Sequence, residues 1–190
     1  MSSFDLFLAS ASPRRQELLT QLGYRFKLVL PNVVECRQIN ESPSDYVIRL
    51  SQEKAQAGLA LTTGDCPVIG ADTIVVVDEK ILEKPLDQAD SSRMLKLLSD
   101  RKHQVLTAVS FVTQKKQETK LVTTQVWFRP LTDDDILAYW QTGEPCDKAG
   151  SYGIQGIGGK FIERIDGSYY AVMGLPLVET DVMAKRFLGL

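Results

Sequence analysis

Histidine is almost missing from this chain of 190 residues, which contains one, His103. A multi-histidine metal centre or a Ser-His-Asp triad would depend on that residue alone, and its place just before a β-rich run reads as that of a structural hydrogen-bond donor. Cysteine is scarce too. Cys36, Cys66 and Cys146 are odd in number, far apart and without a Cys-x-x-Cys pair, so neither a disulfide framework nor a zinc site is expected, and the compartment reads as reducing. No apolar run reaches membrane-spanning length, and Phe-Asp-Leu-Phe-Leu near the N-terminus lacks the basic flank and length of a signal peptide. A cytoplasmic protein is expected. Nor does one sign of charge dominate: 22 Lys and Arg against 24 Asp and Glu give a net charge of -2, which offers no overall basic field to nucleic acid and points to a small ligand. With no internal repeat or low-complexity linker, residues 1–190 read as one domain with ample length to bury a core.

What the chain does have is an acid in an unusual place. Val68 to Val77 is almost wholly apolar and rich in β-branched residues, as in a strand buried on both faces, yet Asp72 sits in its middle. An unpaired buried carboxylate costs several kcal/mol, roughly, so Asp72 needs a cation, hydrogen-bond donors or a metal, or else a raised pKa that keeps it protonated. Asp78-Glu79-Lys80 reads as a turn and Ile81-Leu82 as the return strand. With the turn centred near Glu79, Lys84 falls on the face of Asp72, and the plainest reading is a structural ion pair between them.

Cations also stand where a rule forbids them. Phe4 to Ala9 reads as a first strand, and Ser12 as N-cap, Pro13 at the first helical position and Gly23 after Leu22 punctuate a helix. Its first turn should carry acids, but Arg14 and Arg15 add their charge to the partial positive charge of the free N–H groups. Such a helix start suits an anion, with hydroxyls from Ser10 and Ser12 and guanidinium forks matched to phosphate, although two solvated surface arginines are the simpler alternative. Phe26 to Val34 reads as a second strand ending at Glu35. Ser42-Pro43-Ser44-Asp45 then caps a helix reaching Leu61, whose apolar stripe of Val47, Leu50, Ala57 and Leu61 includes Lys54. Lys54 either snorkels to solvent or reaches inward to a ligand.

The remainder alternates between helices and hairpins. Asp87 and Asp90 open a helix through Leu98, while Val105 to Thr113 and Leu121 to Phe128 form an antiparallel hairpin. Thr132 with Asp133, Asp134 and Asp135 begins a further helix, and these acids read as a helix start rather than metal ligands. From Glu144 to Lys160 the chain is glycine-rich, as in a loop whose backbone lies against a ligand or another strand. Phe161 to Ile165, Asp166-Gly167 and Tyr169 to Met173 read as strand, tight turn and strand, before a terminal helix after Gly174-Leu175-Pro176.

Five segments, in this order, carry a resemblance: Ser-Ala-Ser-Pro-Arg-Arg, Gly-Ala-Asp-Thr, Glu-Lys-Pro, Asp-Lys-Ala-Gly-Ser-Tyr-Gly-Ile-Gln-Gly and Gly-Leu-Pro-Leu. Together they resemble the Maf family of nucleoside triphosphate pyrophosphatases from Leu8 to about Val178, and most of all its branch acting on dTTP and UTP; the branch acting on 7-methyl-GTP tends to carry Glu where Gln155 stands. The resemblance implies an α/β fold of the Maf/Ham1 or ITPase-like type, a single domain with a long mixed β-sheet and two lobes flanking a substrate cleft. It implies that Asp72 is the proton acceptor and that Arg15, Thr73 and Gln155 set substrate choice. Ser10, Arg14, Lys54 and Lys84 are similar to phosphate contacts, and Glu35 with Asp72 to metal contacts, with Mg²⁺ or Mn²⁺ as the expected divalent ion. Val34 departs from the pattern, since relatives often place an acid beside the glutamate. The implied reaction is water attack at the α-phosphate, giving monophosphate and pyrophosphate, with Asp72 taking the proton directly or through water on the metal. Modified pyrimidine nucleotides are expected as further substrates, which would limit incorporation of non-standard nucleotides. The family's link to septum formation implies an alternative, a nucleotide-binding regulator acting through a protein partner, and a homodimer is possible on the same ground.

Overall fold

A computed structural model describes residues 4–190. Strand β1 (Leu6–Leu8) buries Leu6 and Leu8 completely and pairs in parallel with both β2 (Phe26–Leu28) and β3 (Val68–Val77). Parallel neighbours need crossovers, and helices α1 (Pro13–Gln21) and α2 (Pro43–Ala60) supply them. The β2 strand is shorter than the run Phe26 to Val34 suggests. Its partner β1 ends at Leu8, Leu28 and Leu30 are exposed, and Pro31 has no N–H to continue the ladder.

Strand β4 (Lys80–Leu82) returns antiparallel to β3, with Val77 across from Lys80 and Val75 across from Leu82. This register makes the turn two residues long, and Asp78 and Glu79 both have positive φ, the backbone that a tight hairpin turn needs. Continued to Lys84, the register would set that residue across from Thr73, not on the face of Asp72; β4 in fact stops at Leu82, and Lys84 lies exposed in the bend that follows.

After helix α3 (Gln88–Leu98) come β5 (Lys102–Val112) and β6 (Gln117–Phe128), then α4 (Asp133–Gln141), β7 (Ile162–Asp166), α5 (Tyr169–Met173) and α6 (Leu177–Leu188). The mixed sheet runs β2-β1-β3-β5-β6-β7, with β4 beside β3. Tyr169–Met173 is a helix, not the expected strand. Ser168 Oγ accepts the N–H of Ala171 as a cap, and the Ser168 N–H and carbonyl both bond Thr124 Oγ1, so the chain after Gly167 is turned into a helical start. At α4 Asp133, Asp134 and Asp135 lie in the first turn: Thr132 and Asp135 form a reciprocal capping box, Arg129 grips Asp135 with both terminal guanidinium nitrogens, and Asp133 pairs with Lys96.

By compactness the chain falls into two units. One comprises residues up to Asp72, Thr107–Val122 and Gly174–Leu190; the other comprises Thr73–Leu106 and Thr123–Met173. The first packs Ala9, Ala55, Val68 and Val112 together. The second is built on Val75, Leu95, Val126, Phe128, Tyr139 and Phe161. His103 belongs to this second core, where Nε2 meets the Tyr152 hydroxyl at 2.8 Å and the ring lies edge-on to Phe128. Burial pushes its pKa down to about 3, so it is neutral at physiological pH, in keeping with a structural role.

Candidate active site

The first unit brings most of the expected residues together, and a glycine explains how. Gly70 and Asp72 share a face of β3, because side chains alternate along a strand. A Cβ on Gly70 would collide with Ser51 O and Ala55 N of α2, so only glycine lets that helix lie against the strand. The hydroxyl of buried Ser51 bonds Ser110 at 2.7 Å and fixes the same turn of α2 from the side of β5. Lys54, one turn beyond Ser51, is thereby aimed at the residue two positions past Gly70.

That residue is Asp72. Lys54 Nζ donates to Asp72 Oδ1 at 2.7 Å and lies 2.7 Å from Glu35 Oε1, joining strand, helix and the loop after β2. Lys54 therefore reaches inward instead of snorkelling, and the ion partner of Asp72 is Lys54, not Lys84. Only 8% of the Asp72 side chain and 13% of Lys54 is exposed, against 47% of Glu35, so the outer carboxylate faces solvent and the inner one is shielded. Burial raises the Asp72 pKa above its ordinary value; Lys54 and Arg15 pull it down, Glu35 pushes it up, and the balance stays upward.

Arg15 forms the other wall. Its Nε donates to the carbonyl of Gly174 at 2.9 Å and one terminal nitrogen donates to Ser10 Oγ at 3.2 Å, which holds the guanidinium plane in one orientation. Desolvation pulls its pKa below the usual arginine range, while the Asp72 and Glu35 carboxylates raise it and Arg14 lowers it. Ser10, buried two residues after β1, also accepts the N–H of Ser12. Ser12 occupies the N-cap position of α1 without making a side-chain cap, and the first turn holds no acid. This start keeps its positive character, with Arg14 partly buried in the same turn.

Thr73, Lys84 and Gln155 belong to the second unit. Thr73 follows Asp72 in β3 and is partly buried, and Lys84 is exposed beyond β4. Gln155 lies exposed at the tip of a loop whose backbone is anchored at its neck. Glu144 accepts the N–H groups of Ile157 at 2.7 Å and Gly158 at 3.0 Å, and the Tyr139 hydroxyl accepts that of Gly153 at 3.1 Å while donating to Glu144 at 2.7 Å. Sequence reading missed Tyr139 and Glu144. The glycine spacing was the available signal, because a Cβ on Gly156 would strike the Glu144 carboxylate and one on Gly158 would come within 2.6 Å of the Tyr139 oxygen.

Two carboxylates converging on one ammonium make a hard-oxygen pair that suits Mg²⁺ or Mn²⁺. Among the described residues no group of three or more His, Cys, Asp or Glu is placed to hold a metal. Among the described residues no helix is long and apolar enough to cross a membrane.

The first unit thus gathers one shielded acid, two flanking cations and a helix start without acids. The chain belongs to the Maf family: residues 5–187 match Maf-like protein. It is 61% identical to a dTTP/UTP pyrophosphatase of Vibrio parahaemolyticus over 98% of each chain, and 61% identical to that of Photobacterium profundum over the full length of both. Its identity to the dTTP/UTP pyrophosphatase of Salmonella typhimurium is 56%, over 96% of this chain and 92% of the relative. Among solved structures, a nucleoside-triphosphatase/dITP/XTP pyrophosphatase of Mycobacterium abscessus is 18% identical, covering 65% of this chain and 72% of that one with a TM-score of 0.38.

Proposed function

We propose that this protein hydrolyses dTTP and UTP to the nucleoside monophosphate and pyrophosphate. The observation that carries the reading is the Asp72–Lys54–Glu35 bridge beside the fixed Arg15, in a chain nearly two-thirds identical to dTTP/UTP pyrophosphatases over its whole length. Asp72 takes the proton of the attacking water. A carboxylate whose burial has raised its pKa is a stronger base than a solvated one, and Lys54 keeps enough of it ionised to act. Lys54, Arg14, Arg15 and the N–H groups opening α1 hold the phosphate tail and stabilise charge on the departing pyrophosphate. Asp72 and Glu35 would hold the divalent ion, which supplies neutralisation of the phosphates and activation of water. Lys84 adds a further cation for the tail.

Base choice falls to Gln155 with Thr73 and Arg15. A uracil or thymine edge presents an N3 donor between two carbonyl acceptors, and an amide offers both a donor and an acceptor to meet it. A carboxylate could only accept, which suits the ring face of 7-methylguanine. The test is a product assay over dTTP, UTP, CTP, GTP and 7-methyl-GTP, with Mg²⁺ or Mn²⁺ and after chelation, for wild type and Gln155→Glu. Pyrophosphate and monophosphate from dTTP and UTP, metal-dependent and with the base ranking altered in the variant, are expected. Orthophosphate with diphosphate would contradict the reaction, and an unchanged ranking would contradict the role of Gln155.

A further inference from the structure

The loop bearing Gln155 is closed at its neck by one carboxylate and one phenol. Glu144 Oε1 accepts from Gly158 N–H and the Tyr139 hydroxyl, and Oε2 accepts from Ile157 N–H. The Tyr139 oxygen in turn receives Gly153 N–H, so both arms of the 153–158 loop end on the same pair of side chains. The arms also touch: a Cβ on Gly158 would meet the Gly153 carbonyl oxygen at 2.9 Å. Tyr139 is completely buried on α4, its ring edge-on to Phe161 at 5.0 Å, so the anchor is set in the core. A loop tip bearing an exposed side chain has no rigidity of its own. Here its backbone N–H groups point inward to fixed acceptors, and Gln155 between them points out.

We propose that Glu144, joined to Tyr139, is the positioning residue that presents Gln155 to the nucleotide base, and so sets base selectivity without touching the base. The inference rests on the reading of Gln155 given above. Loss of the clamp lets the tip wander, and the hydrogen bonds that distinguish one base from another lose their fixed geometry. Glu144→Gln puts an amide NH₂ where two acceptor oxygens met three donors, so at least one loop N–H is left unbonded.

The test compares kcat and KM for dTTP and GTP in wild type, Glu144→Gln, Tyr139→Phe, Gln155→Ala and the double variant Glu144→Gln/Gln155→Ala. Expected for Glu144→Gln is a rise of about tenfold in KM for dTTP with kcat little changed and GTP unaffected, since a binding contact made equally in ground and transition states is what is lost. Tyr139→Phe retains the packed ring, guards against a folding artefact, and is expected to move dTTP in the same direction. In the Gln155→Ala background Glu144→Gln should add nothing to the dTTP-to-GTP ratio. A ratio shifted by Gln155→Ala but not by Glu144→Gln or Tyr139→Phe overturns the positioning role alone. Equal losses for both nucleotides overturn it too, as a merely structural anchor would give that result. A ratio that Gln155→Ala itself leaves unmoved overturns the reading of Gln155 and this inference with it.

Discussion

Replacing Lys54 with methionine keeps most of the side-chain volume and removes the ammonium that two carboxylates share. Asp72 and Glu35 are then left facing each other, and Asp72, with 8% of its side chain exposed, has little water to turn to. Removing one partner of a buried pair costs about 3–5 kcal/mol. The lower end, about 3 kcal/mol, applies here because Glu35 is 47% exposed and Arg15 still favours the Asp72 charge. For a chain of this size that is roughly a 6–12 °C fall in Tm at neutral pH. The pH dependence has a definite sign. Asp72 already titrates above its ordinary value, and loss of Lys54 raises it further, so the folded state binds a proton more readily than the unfolded one. The deficit is therefore full above the folded pKa and closes as pH falls through the carboxylate range, where Asp72 is protonated in both states. Thermal unfolding of wild type and Lys54→Met between neutral and acid pH reads this directly. A variant as stable as wild type at neutral pH, or a deficit that widens in acid, would refute the reasoning.

Asp72→Asn should lower kcat by about a hundredfold or more through loss of the base, yet unfold at the same temperature or higher, because its surroundings disfavour the charged form; near wild-type turnover in the folded variant would remove Asp72 from catalysis. Arg15→Lys should raise KM for dTTP by about tenfold, since an ammonium cannot bond Gly174 O and Ser10 Oγ while also presenting a fork to phosphate, and steady-state kinetics will show it. His103, neutral with a pKa of about 3 against 6.5 unfolded, should make wild type lose stability as pH falls below about 6.5, because the unfolded state binds the extra proton there. His103→Gln should flatten that slope in thermal unfolding, and an unchanged slope would place the acid sensitivity elsewhere.

The residues that the first unit gathers into the candidate site were legible where they broke a local rule. Asp72 interrupts an apolar strand, Arg14 and Arg15 sit at the wrong end of a helix dipole, and Lys54 lies on an apolar stripe. Their partners were not legible in the same way. A turn centred on Glu79 sets Lys84 beside Asp72, but the turn is two residues, Asp78 and Glu79, and a shift of one residue sends every later side chain to the other face. Lys54 finds Asp72 because Gly70 admits α2, a long-range contact that no periodicity reveals. The same limit explains Tyr169–Met173: residues with strand propensity after Asp-Gly suggest a hairpin, but Thr124, far back in the chain, holds Ser168 as a helix cap. Fold class came from the family resemblance, with parallel β1 pairings and antiparallel β3/β4 and β6/β7 pairings giving the mixed sheet expected of it.

The central claim is that water attacks the α-phosphate of dTTP. Hydrolysis in isotopically labelled water, followed by mass spectrometry of both products, tests it most directly, because the label enters whichever phosphorus is attacked. The account predicts label in the thymidine monophosphate and none in the pyrophosphate. Label in pyrophosphate, or in orthophosphate released beside the diphosphate, would contradict it.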